Sequence, residues 1–365
     1  MSEKKKVPYI IQYPADYAGC GFWRMLWPQL MMNMKGIATV CHSQMFIRDF
    51  LHYNFATAIH VQRQITPFQL TFFKKLHALK KRMNFRLIYD IDDIIFPDDI
   101  PDYNDAKEKI KQAGFYAKEI IELCDEMTVS TPYLRDYYLN KTNQKNITVI
   151  PNYAPLFWLG DHFSEELLIR NFRMHKKKPR ILYAGASSHF HVPAKGEQIP
   201  DDFTHVKDAI MANADQFKWV FVGAFPRSLC QHIKAGIIEY YPWKTLDEYP
   251  RFLSKLEINM CIAPLQENDF NRGKSDLKFL EATALGLPIA CQDLCTYSVA
   301  PIKFSSGEDM IKKIRETLET EDTFLEASRR ARVLIEGRWL EREENIGKYI
   351  DVYTYPYGHP MRKYV

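Results

Sequence analysis

The sequence predicts an α/β protein built from two consecutive parallel-sheet domains, and three observations carry that prediction. Eleven short apolar runs are spread along the 365 residues. They are continuously apolar rather than alternating, as strands covered on both faces must be. Helical stretches separate most of them, the pattern of crossover helices joining parallel strands.

In order, the first group of strand candidates is PYIIQYP, TAIHVQR, FRLIYDI, EMTVST and ITVIPN. The second is RILYAG, WVFVGA, IIEYYPW, INMCIAP, PIACQD and PIKFSS. Between the groups lies PNYAPLFWLGDHFSEELLIRNFRMHKKKPR, where proline, aromatics and a basic run interrupt the pattern. The expected domains are therefore 1–160 and 161–336. Beyond residue 306 the pattern becomes purely helical, and no short-period repeat or low-complexity segment is found.

Composition sets the limits. Hydrophobic residues at 46% and charged residues at 26% describe a globular, soluble chain. No apolar run approaches the length of about 18 residues needed to span a bilayer. Pro14 arrives before any signal-length apolar segment, which predicts no secretory leader. The seven cysteines are an odd number and sit mostly in apolar runs, as reduced thiols in a cytoplasm do. Cys291 and Cys295 lack the second ligand pair that a zinc site requires. The net charge of +4 is small but unevenly placed, with basic clusters at 74–86 and 173–180 and an acidic one at 90–105. A lysine-rich helix is ordinarily a solvated face; the other reading is a footprint for a polyanion.

Two α/β domains usually bind ligands in the cleft outside the carboxyl ends of their strands. A dinucleotide fingerprint is excluded, because Arg24 stands where G-x-G-x-x-G after Gly19 and Gly21 needs a third small residue. No P-loop is present either. The segment NRGKSDLKFLEATALGLPIACQD (271–293) is the informative one. A helix capped at Ser275 would align Leu277, Leu280 and Ala284, with Glu281 about 40° round from Leu277, at the edge of that apolar stripe. An ionised carboxylate there is costly unless it is paired or faces a polar ligand. First-turn N–H groups beside Lys274 make a phosphate seat. Glu281 lies roughly 10 Å further along the axis, the reach from a diphosphate to its ribose. A nucleotide-diphosphate ligand fits this spacing; a surface pair of Lys274 with Glu281 is the competing reading.

LKFLEATALGLPIAC resembles the donor-binding helix and strand of retaining glycosyltransferases of the GT-B fold. The likeness extends over most of the chain. MTVSTPYLRDYY with ITVIPN resembles the end of their N-terminal domain, and RILYAGASSH with WVFVGAFP the first strands of the C-terminal one. VQR followed by FRLIYDIDDIIFPDDIP resembles a subgroup carrying an Asp-Asp pair after a central strand. The resemblance implies two Rossmann-like domains facing across a cleft, the first for the acceptor and the second for a nucleotide sugar. It also implies that residues 337–365, with Trp339, cross back onto the first domain.

By that resemblance Glu281 holds the ribose of a nucleotide sugar, UDP-linked by expectation, and transfer proceeds with retention. Arg272 and Lys274 neutralise the diphosphate leaving group, with Ser275 and Lys278 beside them. Gly21 and the Gly185 loop, with Ser187, Ser188 and His189, line the donor side. One departure stands out: the family commonly has a first Glu, seven residues removed from the ribose-binding one, and here that place is Gly273. Sugar recognition must then come from backbone amides or Asp269. Cations and a helix N-terminus stand in for a metal, so no metal or other cofactor is expected. The alternative, a metal-binding Asp-x-Asp, would use Asp90 and Asp92. Asp92 and Asp93 are candidates to orient or deprotonate the acceptor hydroxyl.

For the acceptor, the expectation is 5-hydroxymethylcytosine in phage DNA, modified in the host cytoplasm. It rests on Lys80, Lys81 and Arg82 in the basic cluster, with Arg24 and Arg63 as further acceptor or phosphate contacts, and on Phe22, Trp23 and Trp27 as stacking groups. The runner-up is synthesis of a surface glycan or small molecule. A non-catalytic nucleic-acid-binding protein is the remote third reading.

Overall fold

The structure, a computed structural model, describes residues 7–158, 164–190 and 199–364, the side chain of Lys109 excepted. The expected domain boundary at 160/161 lies outside the described residues. Strands β1 (Tyr9–Tyr13), β2 (Thr39–His42), β3 (Ala58–Gln62), β4 (Arg86–Ile91), β5 (Glu126–Val129) and β6 (Ile147–Val149) form one sheet. Their spatial order is β2-β1-β3-β4-β5-β6. Strands β7 (Arg180–Gly185), β8 (Lys218–Gly223), β9 (Glu239–Tyr241), β10 (Met260–Ala263), β11 (Ile289–Gln292) and β12 (Ile302–Phe304) form the other, ordered β12-β11-β10-β7-β8-β9. Every pairing is parallel.

All eleven expected strands are present, and β2 is the addition. Its sequence, TVCH, buries only Val40, because β2 is an edge strand and carries little of the core. β3, by contrast, lies inside the sheet and buries all five residues.

The strand orders place the site. In the second sheet the order reverses between β7 and β10, and in the first between β1 and β3. A crevice opens at such points, outside the carboxyl ends of the strands. β7 ends on Gly185 and the segment 264–276 follows β10; the loops after β1, β3 and β4 hold Gly19, Arg63 and the Asp92–Asp93 pair.

The C-terminal helix Glu343–Thr354 returns to the first domain, as expected. The hydroxyl of Tyr353 accepts from Gln12 Nε2 at 3.0 Å and bonds His60 Nδ1 at 2.9 Å. Arg86 donates to the carbonyls of Val352 and Tyr355. Apolar packing is continuous from the second domain through Trp158, Trp339 and Tyr349 to Ile10 and Ile88 of the first sheet.

Arg24 is part of this interior, which corrects its expected role as an acceptor contact. A π-turn, Phe22–Leu26, follows the glycine loop. The Arg24 guanidinium pairs with Asp90 at 2.7 Å, and both side chains are 0% exposed. It also donates to the Ile150 carbonyl and to Asn152 Oδ1. Such a group is buried because it is paired, and it cannot meet an acceptor. Asp90 accepts a further bond from Thr128, so it too is committed to the core. Trp23 and Trp27 pack edge-on against Trp158 rather than standing free to stack on a base, and Phe22 is partly buried against the same core.

Candidate active site

Between the two crevices lies a cavity of about 230 Å³. The second domain lines it with Gly185, Ser188, His189, Trp243, Tyr249, Lys274, Ser275, Lys278 and Glu281. The first domain adds Gly19, Cys20, Asp92 and Asp93.

The helix carrying Lys278 and Glu281 runs from Leu277 to Ala284. It starts one residue later than a Ser275 cap would have it, with Asp276 in the cap position and no side-chain cap bond. The reason is competition for the two side chains. Ser275 Oγ accepts from Asn152 Nδ2 at 3.0 Å, and the Asp276 carboxylate is gripped by Arg338 at 3.0 Å through both oxygens. The first-turn amides thus have no side chain capping them, next to Lys274 and Lys278.

Glu281 has no hydrogen-bond or ion-pair partner among the described residues, yet it lines the cavity. Burial pushes its carboxyl up to about 7, against the pull of Lys278. Burial and then Lys274 push the Lys278 ammonium down to about 8, against Glu281 and Asp202. Lys278 Nζ stands 3.1 Å from His189 Nε2, and its ammonium lies 5.4 Å from the Tyr183 ring centroid. The Lys274 ammonium lies 4.6 Å from the Phe270 ring centroid. Two ammonium groups and an unpaired carboxylate therefore share one recess.

Gly185 admits that arrangement: a Cβ there would sit 2.5 Å from the Tyr183 hydroxyl and 3.0 Å from Lys278 Nζ. Its neighbour Ser187 is exposed and does not line the cavity; Ser188 does. Gly21 is likewise outside the lining. A Cβ on it would meet the Asp16 carbonyl oxygen at 1.8 Å, so its smallness serves the fold of the loop, while Gly19 and Cys20 face the cavity. Arg272 is not brought into the cavity either. It pairs with Glu267 at 2.6 Å and Asp269 at 3.8 Å on the surface. Lys278, deeper in the recess, holds the place beside Lys274 that the sequence assigned to Arg272.

Opposite them, Asp92 and Asp93 differ. Arg63, in the left-handed region (φ +48°), reaches Asp92 at 2.7 Å and Asp93 at 3.9 Å. Burial alone would raise Asp92, but Arg63 and then Arg24 outweigh it and hold the carboxyl below its ordinary range. Asp93 is raised by burial despite Lys274 and Arg63, and its buried Oδ1 has no hydrogen-bond partner among the described residues. Arg63 thus steadies a carboxylate pair rather than reaching outward to an acceptor.

The basic cluster is elsewhere. Lys80, Lys81 and Arg82 close the helix Pro67–Met83, just before β4 begins, whereas Asp92 and Asp93 follow its end. A six-residue strand puts about 20 Å between them, at opposite ends of the sheet. Lys80 is also committed to Asp125 at 2.7 Å, leaving Lys81 and Arg82 as solvated charges. The cluster is not on the cleft.

Gly273 has a steric explanation. The short helix Asp269–Gly273 inserts Phe270, 3% exposed, into the core of the first domain. A Cβ at Gly273 would lie 3.1 Å from Leu134 and 3.3 Å from Ile94 of that domain. A glutamate there would have to push both side chains aside. Sequence reasoning missed Trp243, Tyr103 and Asp202, which come from loops without periodicity. The one signal for Trp243 was Gly223 closing β8: it adopts φ +93°, and a Cβ there would meet the Trp243 ring at 2.9 Å.

No protein-family model matches this chain, and no curated protein matches it by sequence. Solved structures do. Sucrose-phosphate synthase from Thermosynechococcus elongatus superposes with a TM-score of 0.62 at 12% identity, covering 93% of this chain and 96% of that one. HepE of Anabaena, solved with UDP-glucose, gives 0.62 at 10% identity, covering 94% and 99%. TarM gives 0.56 at 14%, covering 82% of this chain and 55% of that one. At these identities the likeness is one of fold. Together with the two parallel sheets and the returning C-terminal helix, it shows that the chain has the GT-B fold.

Proposed function

We propose that this chain transfers a glycosyl group from a UDP-sugar to a hydroxyl acceptor, with retention of configuration. The observation that carries the reading is the recess where Glu281 stands unpartnered beside Lys274 and Lys278. A carboxylate without a partner, next to uncapped helix amides and two cations, suits a ligand with hydroxyls at one end and a diphosphate at the other. Breaking the sugar–phosphate bond develops negative charge on the leaving diphosphate, and fixed cations lower that barrier. UDP is favoured as the nucleotide because HepE, which shares the fold, is solved in complex with UDP and with UDP-glucose.

Asp93 is the better of the two carboxylates to take the acceptor's proton. Its raised affinity for protons and unpartnered Oδ1 suit a base, whereas Asp92 is tied to Arg63. Metal independence is part of the proposal. For the acceptor we favour a glycan or small-molecule hydroxyl over a DNA base, because the cluster that motivated DNA lies at the far end of the sheet.

The test is a panel of nucleotide sugars without acceptor, reading release of the nucleoside diphosphate, with UDP binding followed by calorimetry. Binding of UDP and slow hydrolysis of a UDP-sugar are expected; absence of binding to any nucleoside diphosphate refutes the reading. Acceptors, hydroxymethylcytosine DNA among them, are then screened by mass spectrometry. Proton NMR of the product anomer tests retention.

A further inference from the structure

Behind the cavity wall lies a buried polar chain that the reading above does not use. Asp202 is 0% exposed and is not part of the lining. Its Oδ1 accepts from the Tyr103 hydroxyl at 2.9 Å, the Gln266 backbone N–H at 2.8 Å and Asn271 Nδ2 at 2.6 Å. Its Oδ2 faces His189 Nδ1 at 2.7 Å. On the other side of the imidazole, Nε2 faces Lys278 Nζ at 3.1 Å. Tyr103 belongs to the first domain, and its oxygen also accepts from Asn271 Nδ2 at 2.9 Å.

The protons in this chain are determined. An ionised carboxylate only accepts, so His189 must carry its proton on Nδ1. Burial, then Lys278 and Lys274, push the imidazole down to about 3, which keeps it neutral. Its Nε2 lone pair therefore points at Lys278 and accepts one ammonium N–H, leaving two for the cavity. The second partner of an imidazole fixes what its first nitrogen can do.

We propose that Asp202 and Tyr103 are positioning residues. Asp202 sets the His189 tautomer that anchors Lys278 for the donor diphosphate, and Tyr103 ties that setting to the seating of the first domain. The role assigned to Lys278 rests on the proposed donor reading; the tautomer does not.

Asp202→Asn separates this from a purely structural network. Three donors meet at the Oδ1 position, so the amide oxygen must take it, and the NH₂ then faces His189 Nδ1. That nitrogen must become the acceptor, the proton moves to Nε2, and an N–H confronts the Lys278 ammonium. Long-range proton–nitrogen correlation spectra of histidine-labelled protein, with His189→Gln to assign the signal, read the tautomer directly. UDP serves as the binding probe.

The wild type is expected to show an uncharged Nδ1–H imidazole from pH 5.5 to 8. Asp202→Asn is expected to show the Nε2–H form and a UDP Kd raised about tenfold or more, with circular dichroism unchanged. Tyr103→Phe is expected to keep the wild-type tautomer and to raise the Kd roughly three- to tenfold, since it removes the hydroxyl that donates to Asp202 and accepts from Asn271. A wild-type His189 that is Nε2–H or charged overturns the proposal, as does an Asp202→Asn protein with unaltered tautomer and UDP affinity. An unchanged Kd in Tyr103→Phe removes the interdomain part. Should Asp202→Asn not fold, the wild-type spectrum and Tyr103→Phe still decide. If the wild type fails to bind UDP, the donor reading falls while the spectrum continues to judge the tautomer.

Discussion

Replacing Glu281 by Gln probes the donor site most directly. The side chain keeps its volume and loses its charge. Hydrogen bonds from ligand hydroxyls to a carboxylate contribute about 1.5–3 kcal/mol. Against this, a carboxyl pushed up to about 7 is half protonated at pH 7, and ionising it on binding costs about 0.4 kcal/mol. The expected loss at pH 7 is therefore about 1–2.5 kcal/mol, roughly 5- to 70-fold in Kd. The assay is calorimetric titration with UDP-glucose, whose diphosphate does not titrate in this range. Wild-type affinity should rise from pH 6 to 7.5 as Glu281 ionises, then fall as Lys278, pushed down to about 8, loses its proton. The variant should lose the acidic limb. Its alkaline limb should move to lower pH, because Glu281 supports the Lys278 charge. Stability should change the opposite way. A carboxyl raised above its ordinary value of 4.5 destabilises the fold only when charged, so the variant's melting advantage is absent below pH 4.5 and full above about 7. A variant that binds UDP-glucose like the wild type, with the same acidic limb, refutes the assignment.

Four further outcomes are expected. Lys278→Met should weaken UDP binding by about tenfold or more, since it removes a charged donor to the diphosphate, whereas Lys81→Glu with Arg82→Glu should leave donor hydrolysis unchanged, as measured by UDP release. Arg24→Met should cost about 3–5 kcal/mol of stability in denaturant titration, because Asp90 is left as an uncompensated buried charge; a loss under 1 kcal/mol would show the pair to be dispensable. Excess chelator should leave most UDP-sugar hydrolysis intact, and complete loss restored by manganese would overturn the metal-free reading.

The two sheets were legible because buried parallel strands are apolar on both faces, so FRLIYDI and WVFVGA declare themselves without neighbours. TVCH did not, since an edge strand with one buried residue has no such signature. Glu281 was legible because charge at the edge of an otherwise apolar stripe demands a partner, whereas Lys278 came only with the resemblance of the helix. The same logic misled at Arg24. A cation beside a glycine loop reads as a ligand contact, and its true partner, Asp90, lies 66 residues away in sequence. Arg272 misled similarly, because Glu267 and Asp269 were close enough to claim it. Asp202 and Tyr103 had no local signal at all: 99 residues separate them, and only the meeting of two domains makes them a pair.

Phe270 is carried by a helix of the second domain yet belongs to the core of the first. Any separation of the domains that draws the ring into water costs about 1.5–3 kcal/mol. The ring is thus a rivet between the two halves, and it holds the segment leading to Lys274 against the first domain.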